Sequence, residues 1–221
     1  MASVFPNRIC LGNCFDLIKE IPAESIDAII TDPPYGVGKK GINDNSGLQT
    51  FYDILPECYR VMKSNSFFIT FTSIKFLPNI FDNNPFKYFW QIVYYCPMGS
   101  VNSPVGFTKY MPVMVFSKGK PRICCRNKDA FEHPRGTKMI EPIEGFINHP
   151  ALKPVGLLEQ ILVMFTEKED IILDPFIGSG STALACIRTG RSFIGFEISQ
   201  EYVNLAKSRI KKLKVGTHFE L

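Results

Sequence analysis

Short apolar runs of the kind that form buried strands alternate along this chain with stretches whose apolar residues recur every three or four positions. Few folds accept that alternation. The strand-like runs are "RICL", "SIDAIIT", "SFFITFT", "YFWQIVYY", "MPVMVFSK", "DIILDPF" and "SFIGFEI". Between them stand "CFDLIKEI", with Asn13 placed to cap it, and "FYDILPECYRVM", with Phe51, Leu55, Cys58 and Met62 on one face and a bend expected at Pro56. "IKFLPNIF" also reads as helical, as does "VGLLEQILVMF", where Val155, Leu158, Leu162 and Phe165 fall at helical spacing. "STALACIRT" stops at Gly190, and "QEYVNLAKSRIKKLK" is amphipathic. The pattern predicts an α/β fold, a doubly wound, mostly parallel twisted sheet with helices on both faces. A length of 221 residues suits one domain covering 1–221.

Composition narrows the class further. A hydrophobic share of 45% with 21% charged residues is that of a soluble globular chain, and disorder is not expected. No apolar run reaches the roughly 18 residues of a membrane span, and "MASVFPNRICLGN" lacks a signal-peptide core, so the expected location is cytoplasmic, away from membranes. Seven cysteines, scattered without a CxxC pair, read as free thiols in a reducing compartment, and no metal site is expected.

Ligands of doubly wound sheets bind outside the carboxyl ends of the strands, and two such ends carry unusual residues. One is "TDPPYG", an acid and two prolines directly after an apolar run; the other is "LDPFIGSGSTALA", a strand, a glycine turn and a helix. Gly178, Gly180 and Ala183 satisfy the GxGxxA pattern of dinucleotide sites, but no lysine follows as in a phosphate loop. Glu197 ends the next strand 17 positions beyond Gly180, where a carboxylate can accept from both ribose hydroxyls. Asp174, just ahead of the turn, would repel a pyrophosphate yet accept a hydrogen bond from a cationic ammonium. An adenosine cofactor with an ammonium and no phosphate is S-adenosylmethionine.

With these motifs in place, the chain resembles the amino-directed DNA methyltransferases that depend on S-adenosylmethionine. "DPPYG" at 32–36 is similar to their catalytic motif, "DPFIGSGST" at 174–182 to their cofactor loop, "FEIS" at 196–199 to their ribose-binding motif and "HPALKP" at 149–154 to the segment preceding the cofactor loop. Catalytic motif first and cofactor loop second is the permuted order of the family's beta class. The resemblance implies a Rossmann-like methyltransferase fold, S-adenosylmethionine as cofactor and DNA as partner. A restriction-modification setting with a companion restriction nuclease belongs to the same expectation.

The residues of the catalytic motif suit that chemistry. An exocyclic amino group is a poor nucleophile because its lone pair is delocalised into the ring. Asp32 and the main-chain carbonyl of Pro33 can accept its two hydrogens and turn the lone pair toward an electrophile, acting through position and charge. Pro33 and Pro34 stiffen the backbone that holds those acceptors. Tyr35 can stack on a base rotated out of the duplex. In the family, Asp at the first position goes mostly with adenine N6, so Asp32 implies adenine; cytosine N4 or an RNA base stays open as the alternative, as does a non-catalytic nucleic-acid-binding protein.

The resemblance also assigns lesser roles. Lys153 falls at a cofactor-proximal position, although a helix-entry lysine beside Pro154 is an equal reading; His149 reads as structural. Asn13 corresponds to the position that touches the cofactor's adenine ring, and is explained equally well as an N-cap. Phe176 lines the cofactor pocket or belongs to the core, and Ser179 falls within the cofactor loop.

DNA contact is expected from positive charge. Between Lys118 and Lys138 seven basic residues face Asp129 and Glu132, a balance of +5 in a chain whose total is +4. This basic segment, about 118–148, lies where the family carries its target-recognition region, with Arg122 and Arg126 as candidate phosphate contacts. Lys39 and Lys40, soon after the catalytic motif, are a second pair. About thirty residues is short for reading several base pairs, so either a second subunit of a homodimer adds contacts or specificity is modest.

Overall fold

The computed structural model describes residues 6–34, 48–97, 101–133, 138–141, 145–148 and 152–216. The elements run β1 (Arg8–Leu11), α1 (Cys14–Leu17) with a 3₁₀ turn at Ile18–Glu20, β2 (Ile26–Thr31), α2 (Gln49–Val61), β3 (Met62–Phe71) and β4 (Lys87–Tyr95). A small hairpin, β5 (Val101–Ser103) and β6 (Gly106–Thr108), leads to β7 (Tyr110–Lys118) and β8 (Ala130–Glu132). A second hairpin, β9 (Lys138–Glu141) and β10 (Gly145–Asn148), precedes α3 (Val155–Phe165), β11 (Ile171–Asp174), α4 (Ser181–Thr189), β12 (Ser192–Glu197) and α5 (Gln200–Gly216).

Eight strands form one sheet in the order β1-β12-β11-β2-β3-β7-β4-β8. All neighbours pair in parallel except β7, which runs against both β3 and β4. The fold is thus the mostly parallel, helix-covered α/β sheet expected. Period-two alternation explains how a single strand serves two cores. Ala28, Ile30, Phe67, Ile69, Val113 and Val115 face α3 and α4, whereas Ile29, Phe68, Met114 and Phe116 face α1 and α2. The prolonged apolar runs of the sequence are therefore the mark of strands buried on both sides.

Two expectations need correction. "IKFLPNIF" makes only a 3₁₀ turn at Ile74–Phe76, because Pro78 has no amide to donate and disfavours helical backbone in the residue before it. The basic interval, which supplied none of the strand-like runs, contributes β8 to the edge of the sheet and the hairpin of β9 and β10. Among the described residues no helix is long and apolar enough to cross a membrane.

Candidate active site

Four neighbouring strands, β1, β12, β11 and β2, end side by side, and each end carries a polar residue that the sequence singled out. Leu11 of β1 pairs with Glu197, Asp174 pairs with Gly195, and Leu173 pairs with Ile29 of β2, two residues before Thr31. Asn13, Glu197, Asp174 and Asp32 are thereby laid out in that order. With strands about 4.8 Å apart, three steps span about 14 Å.

The glycine turn lies over the end of β12. The Ile177 amide donates to the Phe196 carbonyl at 3.0 Å, and a Cβ on Gly195 would come within 2.2 Å of Ile177 Cδ1, so only glycine lets the turn sit this low on the strand. Gly180 takes φ +85°, and a Cβ there would meet Ala206 of α5 at 2.8 Å. From the other side Arg209, buried on α5, donates through Nη1 to the Ser179 carbonyl at 2.7 Å and to the hydroxyls of Ser179 and Ser181 at 3.2 and 3.3 Å. Ser179 thus turns its hydroxyl to Arg209.

Asp174 is buried beneath this turn. Its Oδ1 accepts from Thr31 Oγ1 at 2.8 Å and from the Phe176 amide at 3.1 Å, and its Oδ2 accepts from Thr182 Oγ1 at 2.6 Å. Burial pushes its pKa up to about 6 against these three bonds, with the charge of Asp32 adding to the rise. Glu197 is raised in the same direction, by burial, although backbone amides including that of Ser199 at 2.7 Å hold its ionised form.

Asp32 follows β2 at half burial, with Pro33 buried behind it. Its Oδ2 accepts from the ammonium of Lys153, which also lies 5.1 Å from the centre of the Phe71 ring. Lys153, matched by resemblance to the cofactor, is thus brought to the Asp32 carboxylate. Phe176 is half-buried and packs on the core shared by α1 and α2, and Asn13 is exposed while its Oδ1 caps α1 through the Phe15 amide at 3.0 Å. Tyr35, Lys39, Lys40 and His149 lie outside the described residues.

Of the basic segment, Lys118, Arg122 and Arg126 lie away from this site. Lys118 is buried, ion-paired with Glu24, and donates to the carbonyls of Tyr59 at 2.8 Å and Met62 at 2.6 Å, satisfying the end of α2. Arg122 borders a hollow of about 190 Å³ with Asp27, Lys63, Glu167 and Asp170. Those residues stand at or just before the amino ends of β2, β3 and β11, the end of the sheet opposite Asp32. Arg126 is exposed one residue after Cys125, whose amide meets the Met164 carbonyl near the end of α3.

Thr31, Thr182 and Arg209 are site residues that sequence reasoning missed. Arg209 stands among the basic residues of the last helix, yet it falls three residues after Ala206 and four before Leu213, on the buried stripe of α5.

The donor set fits S-adenosylmethionine. Three carboxylates, Asp32, Asp174 and Glu197, stand around the turn, where among the described residues Arg209 is spent on Ser179 and Ser181 and Lys153 offsets Asp32 alone; such a place favours a cation and a ribose over a diphosphate. Comparison with known proteins agrees. The model of the N6/N4 DNA methylase family, described as DNA methylase, matches residues 26–208. The Type II methyltransferase M.HpaI of Haemophilus parainfluenzae is 31% identical over 92% of this chain and 74% of its own. The DNA adenine methyltransferase YhdJ of Escherichia coli is 27% identical over 94% of this chain and 83% of its own. The crystal structure of the M1.HpyAVI–SAM complex superposes with a TM-score of 0.67 at 26% identity, covering 91% of this chain and 98% of that one.

Proposed function

The chain belongs to the N6/N4 DNA methylase family, and on that premise we propose that it methylates N6 of adenine in duplex DNA, acting on a base turned out of the helix. The observation that carries the reading is the placement of Asp32 one strand away from the glycine turn and Asp174. S-adenosylmethionine is the methyl donor of this family and, bound at the turn, supplies an electrophilic methyl group on a cationic sulfur. The order of strand ends matches the order of its parts: Asn13 for the adenine, Glu197 for the ribose hydroxyls, the turn and Asp174 for the methionine portion.

The protein's own part in the reaction is to hold and orient. Asp32 and the Pro33 carbonyl accept the two amino hydrogens of the target base, and they do so from a backbone that two prolines and the Thr31 hydroxyl keep in place. Tyr35 stacks on the extruded base. Lys39 and Lys40 are the proposed phosphate contacts, and the whole chain is read as one catalytic domain. Adenine is favoured over cytosine by the name of YhdJ and by Asp at position 32. A cytosolic setting, a homodimer and a companion restriction nuclease complete the reading.

Duplex DNA incubated with the protein and methyl-labelled cofactor, then digested to nucleosides, should yield labelled N6-methyldeoxyadenosine. Label in N4-methyldeoxycytidine would overturn the base assignment.

A further inference from the structure

Asp32 is fixed from two directions. Its backbone follows Thr31, whose hydroxyl is tied to Asp174, and its side chain is tied through Oδ2 to the ammonium of Lys153. The two charges of the ion pair are unequally exposed: the Lys153 side chain is 11% open and that of Asp32 23%. The ammonium therefore lies on the protein side of the pair, over the Phe71 ring, and the carboxylate on the outer side.

Lys153 reaches this place from stiff backbone. Its successor Pro154 has φ −61° and leads into α3, and a residue before proline is held to extended conformations. A long, rotamer-rich side chain is thus launched from a fixed point into a buried slot. Few arrangements remain in which the buried ammonium keeps its carboxylate, so the carboxylate's own rotamer is selected as well.

The charge count at the strand ends points the same way. Asp32 and Asp174 end neighbouring strands, and the charge of Asp32 weighs on Asp174. An ammonium on Asp32 offsets that repulsion and leaves Oδ1 to accept an amino hydrogen.

We propose that Lys153 is the positioning residue of the catalytic carboxylate: it holds Asp32 by one oxygen so that the other faces the target amino group. This rests on Asp32 acting as that acceptor and adds a role for Lys153 separate from cofactor binding. Lys153→Met should lower the single-turnover methylation rate at saturating cofactor and DNA by about 100-fold, the loss that misplacement of about 1 Å can cause. Affinity for S-adenosylhomocysteine, read by calorimetry, should stay within about threefold, since the positioned group is Asp32 and not the cofactor. Lys153→Arg, which keeps a cation able to meet a carboxylate, should recover much of the rate. A rise in the dissociation constant with an unchanged saturated rate would make Lys153 a cofactor ligand only and overturn the proposal.

A second measurement covers the chance that Lys153→Met does not fold. Melting temperatures of Asp32→Asn, Lys153→Gln and the double variant form a cycle, and the paired side chains should give non-additive shifts. Strictly additive shifts would refute the pairing. The wild-type nucleoside digest identifies the methylated base first, the Lys153 rates are taken on that base, and the melting cycle requires no base, so failure of the adenine reading is seen separately.

Discussion

The hydroxyl of Thr31, the last residue of β2, donates to Oδ1 of Asp174, the last residue of β11, at 2.8 Å. One buried hydrogen bond thereby joins the strand that presents Asp32, the proposed acceptor, to the strand that opens the glycine turn. Thr31→Val keeps the shape and removes the donor, leaving Asp174 with Phe176 and Thr182. We expect a stability loss of about 1–2 kcal/mol by urea unfolding, the usual consequence of a buried acceptor short of a partner. Turnover should fall by roughly tenfold, as the two strand ends lose their register.

Asp174 also sets a pH dependence. Burial raises its folded pKa to about 6, above its ordinary value, so the folded protein holds the proton more tightly than the unfolded chain. Its contribution to stability is complete below the unfolded pKa and is lost as pH rises through about 6. Asp174→Asn should therefore gain stability relative to wild type between pH 4 and pH 7, as roughly fits a titration between those two values. Cofactor affinity should run the other way, tightening as Asp174 ionises and attracts the cofactor's ammonium, and calorimetry across this range on the Asn variant should give a flatter curve.

Gly180 is caught between its own backbone and α5. Its φ of +85° disfavours any side chain, and a Cβ would stand 2.8 Å from that of Ala206. Gly180→Ala should cost at least about 1–2 kcal/mol from the left-handed backbone alone. The displaced turn should weaken S-adenosylhomocysteine binding by about tenfold or more, which corresponds to a further 1.4 kcal/mol.

Arg122 shares the lining of one hollow with Asp27 and Asp170 at the far end of the sheet from Asp32. Arg122→Glu should leave the salt dependence of DNA binding unchanged, whereas loss of one phosphate contact would lower its slope by about one. A filter-binding series at several salt concentrations distinguishes the two.

The sequence was most legible where one residue type answers one local demand. Alternating apolar runs gave seven of the sheet's strands, and the turn around Gly178 and Gly180 announced itself through φ values that other residues avoid. The strand ends at Asp32, Asp174 and Glu197 could be recognised, and their adjacency follows once the sheet order is known. What was hidden depends on packing between distant segments. Lys118 and Arg209 look like solvent-facing charge in the sequence, yet one closes α2 and the other props the glycine turn, because each has carbonyls within reach only after the sheet has assembled. Lys153 is the intermediate case: "HPALKP" drew notice to it, but its meeting with Asp32, 121 positions away, is a product of topology.

In the proposed reaction Asp32 acts on the target amino group and not on the cofactor, and the decisive measurement is the single-turnover methylation rate of Asp32→Ala at saturating cofactor and DNA. A loss of about 10³-fold is expected, the scale on which removing one preorganised transition-state contact is felt. A rate within about tenfold of wild type would contradict it, because a group worth so little could not be the acceptor on which the reaction depends.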